Sequence, residues 1–148
     1  MFKRIHLLIG VFIALYFLPV VNHKIVFFPM VLAASFIPDL DAVIAPKRDF
    51  KILQPLKNQT YKDFMHSYTV CVILSIIVAL LYPILALPFF IGYSVHLFFD
   101  SLTLIGICPF WPSKSRITGF ISPGSKTEKT IELMLAIFII LLILRYIF

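Results

Sequence analysis

Charge is scarce in this chain, and it is scarce in a pattern. Only 14% of the 148 residues are charged, against 61% hydrophobic, and mean hydropathy is +1.01. A soluble domain would be about half apolar, so there are too few polar residues to cover a water-facing surface. Residues 68 to 99 contain no Asp, Glu, Lys or Arg, a run longer than the roughly 20 residues one membrane-spanning helix needs. Cysteine is also sparse. Cys71 and Cys108 have no metal-ligand spacing, which excludes a thiolate zinc site, and their apolar or loop settings predict free thiols rather than a disulfide.

What is present reads as an all-α, polytopic integral membrane bundle forming a single domain over residues 1–148. Five membrane segments are predicted, at roughly 5–21, 25–37, 67–82, 85–100 and 129–147. Pro83 and Pro88 divide the long uncharged run into two helices joined by a tight hairpin. Lys3 and Arg4 before an apolar stretch resemble the start of a signal peptide, but no small-x-small cleavage pattern follows. The stretch is therefore read as a first membrane helix. The second segment is short for a straight crossing, so tilt or local bilayer thinning is expected there.

Two long loops, 38–66 and 101–128, carry most of the polar residues. With the N-terminus in the cytoplasm, 11 of the 13 Lys and Arg fall on the cytoplasmic side, leaving only Lys24 and Arg145 outside. That split predicts cytoplasmic loops and N-terminus in a multi-pass cell-membrane protein. It also accounts for the net charge of +6 through topology and anionic lipid, with no nucleic-acid partner required.

The histidines and acids then gather at one face. His6 opens the first segment, Asp39 and Asp41 close the second, His66 and Ser67 open the third, and His96 and Asp100 close the fourth. Each of these ends is cytoplasmic in the predicted topology. His96 and Asp100, four residues apart, share one helical face. An ionisable residue inside such a run is costly without a partner. A divalent ion is an adequate one, and imidazole with carboxylate suits zinc first, with manganese or iron as alternatives. Taken singly, each residue has a plainer reading: acids at helix ends are often just solvated, and a lone histidine is often hydrogen-bonded to a carbonyl. His23, on the other side, reads as an ordinary interfacial residue. Their joint placement carries the argument.

The ordered motifs resemble the membrane-bound metal-dependent hydrolases of the YdjM type, over almost the whole chain. The matching pieces are His6 with Gly10; Pro38-Asp39-x-Asp41; His66-Ser67; Gly92-x-x-x-His96-x-x-x-Asp100; and then Thr103, Gly106, Trp111-Pro112 and Arg116. Tyr61 and Asp63 stand where that family often has His and Gly. The family is in turn similar to the zinc-dependent phospholipase C and single-strand nuclease group, although the further downstream His-rich set of that group is absent from this sequence. The resemblance implies a multi-metal site that cleaves phosphoesters.

The expectation is therefore a membrane hydrolase acting on a phosphoester, with phospholipid as one such substrate, through metal-activated water. Asp39, His66, His96 and Asp100 are its expected catalytic residues, and His6, Asp39, Asp41, His66, His96 and Asp100 its expected metal ligands. Arg116 is a candidate substrate-phosphate contact, against the plainer reading of a membrane-surface anchor. The competing readings are a non-catalytic membrane protein with a structural metal site and a small transporter. A transporter would place its ionisable residues near mid-bilayer on broken helices rather than at helix ends. A haloperoxidase-type lipid phosphatase is excluded, because Phe90 stands where its arginine would be.

Overall fold

The computed structural model describes residues 3–40, 64–113, 115–122 and 124–147. Among the described residues, five α-helices form close to the predicted places: α1 (Lys3–Phe17), α2 (Lys24–Phe36), α3 (Tyr68–Leu81), α4 (Pro83–Ser101) and α5 (Lys126–Ile147). A 3-10 turn, Ile37–Leu40, extends α2. Among the described residues there is no β-strand, only two isolated bridges, Thr103 with Ile121 and Ile107 with Ile117. Asp41 and the rest of 41–63, including Tyr61 and Asp63, lie outside the described residues.

Two of the five helices, α4 with 19 residues and α5 with 22, are long and apolar enough to cross a membrane. The other three have 13 to 15 residues, or about 20–23 Å of helix at 1.5 Å per residue. The hairpin predicted around residues 83–84 is tighter still. Tyr82 alone separates α3 from α4, and Pro83 takes the first helical position of α4, where its missing N–H costs nothing. Pro29 and Pro88 lie inside α2 and α4, where neighbouring helices make proline tolerable in a membrane bundle.

Helix α4 is the hub. It packs against α2 and α3 most extensively and also touches α1, while α1 joins α2 and α5. One core cluster unites Ala34, Cys71, Phe89, Tyr93, Leu97 and Ile107. A second joins Ile5 and Ile9 of α1 to Leu135 of α5, and a third links Ala14 to Phe27 and Val31. Both cysteines are buried and free.

The outer surface is the reverse of a soluble protein's. Helix α5 alone exposes about half of each of Leu133, Met134, Ile137, Phe138, Ile140, Leu141 and Leu144. Leaving these in water would cost roughly 5–10 kcal/mol, comparable with the entire folding stability of a typical domain. Lipid removes that cost.

Two contacts set the sense of the packing. Gly92 of α4 lies against Val31 of α2, and His96 lies against Ser35. Four residues along one helix correspond to four along the other, so α2 and α4 run in the same direction and end at the same level. That shared end is where the histidines and acids sit. At the other end, His23 lines a cavity of about 340 Å³ with Val20, Asn22, Phe27, Pro83 and Leu87.

Candidate metal centre

Local devices set three side chains of the cluster, His66, His96 and Asp100. His96 lies on the inner face of α4, 1% exposed, and its Nδ1 is 2.7 Å from the Ser35 carbonyl oxygen of α2. Gly92, one turn earlier, is what allows this. A Cβ there would lie 2.3 Å from the Val31 carbonyl oxygen, so only glycine lets α2 come this close. Asp100 lies in the last turn of α4, where its carbonyl accepts from the Thr103 hydroxyl at 2.7 Å and from the Thr103 N–H at 3.1 Å.

His66 immediately precedes the N-cap residue of α3. Ser67 is the N-cap of that helix, its Oγ accepting from Val70 N–H at 3.3 Å and donating to the Phe64 carbonyl at 2.8 Å. The Tyr93 hydroxyl donates to the Met65 carbonyl at 2.6 Å, pinning the peptide on the other side of His66 to α4. The loop after α4 completes the support: the Pro109 carbonyl accepts from Tyr68 N–H at 2.9 Å, one of the first amides of α3 with no partner inside the helix.

The fold brings together His6 of α1, Asp39 of the 3-10 turn, His66 from the segment leading into α3, and His96 and Asp100 of α4. Asp100 Oδ1 is 3.4 Å from His6 Nε2. Asp100 Oδ2 is 3.3 Å from His66 Nε2 and 3.4 Å from His96 Nε2. Asp39 Oδ1 is 3.9 Å from both His66 Nε2 and His96 Nε2. The His6 ring stacks on that of His96, with centroids 4.0 Å apart and planes 15° from parallel. His6, His66 and His96 are each at most 3% exposed. The Asp39 side chain is 28% exposed against 11% for Asp100, so the cluster is open on its Asp39 edge.

The donor chemistry fits a cation. A carbonyl can only accept, so the His96 proton sits on Nδ1, and Nε2 of the neutral ring is a lone pair. That lone pair faces two carboxylates without a hydrogen bond. A metal ion placed between them would reconcile acceptors at this spacing, as would an added proton. A histidine that donates one nitrogen to a carbonyl and aims the other at acids has the usual posture of a metal ligand. Two donors about 2.1 Å from one ion at the tetrahedral angle lie about 3.4 Å apart, close to the distances around Asp100 Oδ2. Two overlapping groups have the proximity to hold an ion: His6, His96 and Asp100; and Asp39, His66 and His96.

Of the remaining sequence candidates, Asp41 falls outside the described residues. Arg116 lies exposed on the loop between α4 and α5, its Nη1 donating to the Ile105 carbonyl at 3.0 Å. Sequence reasoning missed Ser35 and Tyr93. Ser35 contributes a main-chain oxygen, which any residue type would supply, so its identity carries no signal. Tyr93, adjacent to Gly92, is a polar-tipped residue in an uncharged run, and that was a readable hint that its hydroxyl needs a partner.

Fold and site together define an all-helical membrane protein with a buried histidine–carboxylate cluster at one end of its bundle. The chain belongs to the YdjM inner membrane protein family, whose family model matches residues 1–148. No curated protein and no solved structure matches it.

Proposed function

We propose that the chain is a membrane-embedded, metal-dependent hydrolase of phosphoesters working at the cytoplasmic face of the inner membrane. In this reading the whole chain is one domain, its five helices make a multi-pass bundle, and the N-terminus and both long loops are cytoplasmic. Asp39, His66, His96 and Asp100 hold one or two divalent ions, zinc foremost, with His6 and Asp41 as further ligands. Asp100, which has one oxygen near His6 and the other near His66 and His96, would supply a carboxylate donor to both sides of the cluster.

The observation that carries the proposal is the setting of the His96 ring. Its Nδ1 is committed to the Ser35 carbonyl, and its Nε2 faces two acids. A bound ion supplies Lewis acidity, polarising a water and a phosphoryl oxygen near neutral pH. The protein's own part is to hold the His96 ring through the Ser35 carbonyl, keep the three histidines buried, and leave the Asp39 edge open to substrate. Arg116 would pair with phosphate if the substrate reaches the loop. The phosphoester class itself rests on the family resemblance.

Metal analysis of protein purified in detergent without chelators tests the centre, and turnover of a chromogenic phosphodiester and of short-chain phospholipids tests the chemistry. Bound metal lost in Asp100→Asn, together with lost turnover, is the expected result. Metal-free wild-type protein would remove the basis of the proposal. Metal without turnover of any phosphoester would favour a second reading, a structural ion tying the helices together, which the deep burial of three histidines supports.

A further inference from the structure

The loop between α4 and α5 has two faces. Its inner face is core: Thr103, Ile107, Cys108 and Ile121 are each at most 3% exposed. Backbone hydrogen bonds fold it back on itself, with Ile107 and Ile117 exchanging both N–H···O bonds at 3.0 and 2.9 Å, and Ile121 N–H reaching the Leu102 carbonyl at 3.0 Å. Gly106 turns the chain at φ +66°, a left-handed conformation that glycine adopts without strain. The loop is therefore a shaped element, expected from sequence only as a polar connection. Its outer face carries Leu104, Ile105, Phe110, Ile117 and Phe120, from about half to 77% exposed. Phe120 points out beside the buried Ile121, so the two faces are sharply divided.

We infer that this outer face is seated in the headgroup layer of the cytoplasmic leaflet, as an interfacial platform beside the metal centre. Three observations select lipid as its occupant. Both ends of the loop attach to α4 and α5, the two helices with the length and composition to span a membrane, which holds the intervening residues close to the interface. The outer face mixes large apolar and aromatic side chains with Ser113, Ser115 and Arg116, the composition of a membrane-interface surface. Residues 101–127 contain Lys114, Arg116 and Lys126 but no acid at all, which complements an anionic leaflet. The same loop caps α3 next to His66 through Pro109, so seating it in the headgroups places the metal centre within reach of a phosphate at that depth. The inference rests on the proposal that α4 and α5 cross the bilayer with this loop on the cytoplasmic side; it does not depend on catalysis.

The chain's single tryptophan, Trp111, sits on this loop, half-buried against Phe64, and reports its depth. The full chain is reconstituted into phosphatidylcholine–phosphatidylglycerol vesicles whose phosphatidylcholine carries bromine either near the ester linkage or near the chain terminus. The expected result is a greater loss of Trp111 emission with shallow bromine than with deep bromine, and weak quenching by aqueous iodide on either side. A Trp111→Phe, Phe120→Trp chain, with the probe at the most exposed point of the face, should show the same order with a blue-shifted emission. Strong iodide quenching without bromine quenching would put the face in water and overturn the inference. Protection from both quenchers would mean that protein covers it, another part of this chain or a second copy, and would overturn it equally. Retention of the protein in vesicles after an alkaline carbonate wash checks membrane spanning separately, and metal content of the same sample checks the centre, so the failures are distinguishable.

Discussion

Replacing Gly92 with alanine tests the link between helix packing and the metal centre. The new Cβ would lie 2.3 Å from the Val31 carbonyl oxygen, 2.9 Å from Ala34 Cβ and 3.1 Å from the Val31 carbonyl carbon. Ordinary contact begins at 3.4 Å, so α2 and α4 must part there by about 1 Å. Two of the three obstructing atoms are backbone, and the other is a Cβ, so no rotamer change relieves the clash. One turn along, the 2.7 Å contact of His96 Nδ1 with the Ser35 carbonyl would stretch beyond hydrogen-bond range if the separation is carried that far. Overpacking costs about 1–3 kcal/mol, and a buried polar group left without its partner adds about 1–3 kcal/mol. A total of roughly 2–4 kcal/mol is expected, allowing for partial relaxation of the helices. Thermal unfolding in detergent and metal per chain should fall together. Gly10→Ala is the control, because its closest obstruction is the Ser35 hydroxyl at 2.9 Å, a side chain that can rotate. Gly92→Ala with wild-type metal content and an unchanged unfolding midpoint would refute the idea that this approach holds His96 in place.

Asp100→Asn keeps shape but removes the charge facing three imidazoles; bound metal should drop at least tenfold by elemental analysis, while circular dichroism retains the helical bundle. Removing the ion with a chelator should lower the unfolding temperature of the wild type, since a ligand at a hundred times its dissociation constant stabilises by about 2.7 kcal/mol; a midpoint indifferent to both chelation and added zinc would count against the site. Ser67→Ala deletes the N-cap of α3 beside His66, with an expected cost of about 1 kcal/mol and weaker metal retention, read by competition with a colorimetric chelator. Single cysteines near Lys51 and at Ser113, in a background lacking Cys71 and Cys108, should resist membrane-impermeant thiol reagents applied to intact cells; labelling of both from outside would invert the topology.

Much of the helical framework was legible without coordinates because the bilayer imposes a simple rule. A segment in lipid must be apolar and must satisfy its own backbone hydrogen bonds, so uncharged runs and prolines were enough to locate five helices. The i, i+4 spacing of His96 and Asp100 is a property of the helix itself. Segment lengths were less informative. Among the described helices only α4 and α5 have straightforward spanning length, because helix ends are set by caps such as Ser67 and by the proline at 83 rather than by hydropathy.

Sequence by itself determined composition, helix placement, the shared face of His96 and Asp100, and the gathering of histidines and acids at helix ends. Tertiary structure decided the rest. Which helices run side by side, and how closely, depends on where Gly92 meets Val31, a relation between residues far apart in the chain. The His96 tautomer was decided by a main-chain oxygen at Ser35, and main-chain atoms leave no mark in a sequence. The division of Asp100's two oxygens between His6 on one side and His66 and His96 on the other is a matter of side-chain direction. So is the apolar outer face of the loop after α4, where Phe120 and Ile121 are neighbours of similar hydrophobicity. Only the fold sends one outward and the other into the core, because the backbone bonds of Ile121 turn its side chain toward the bundle.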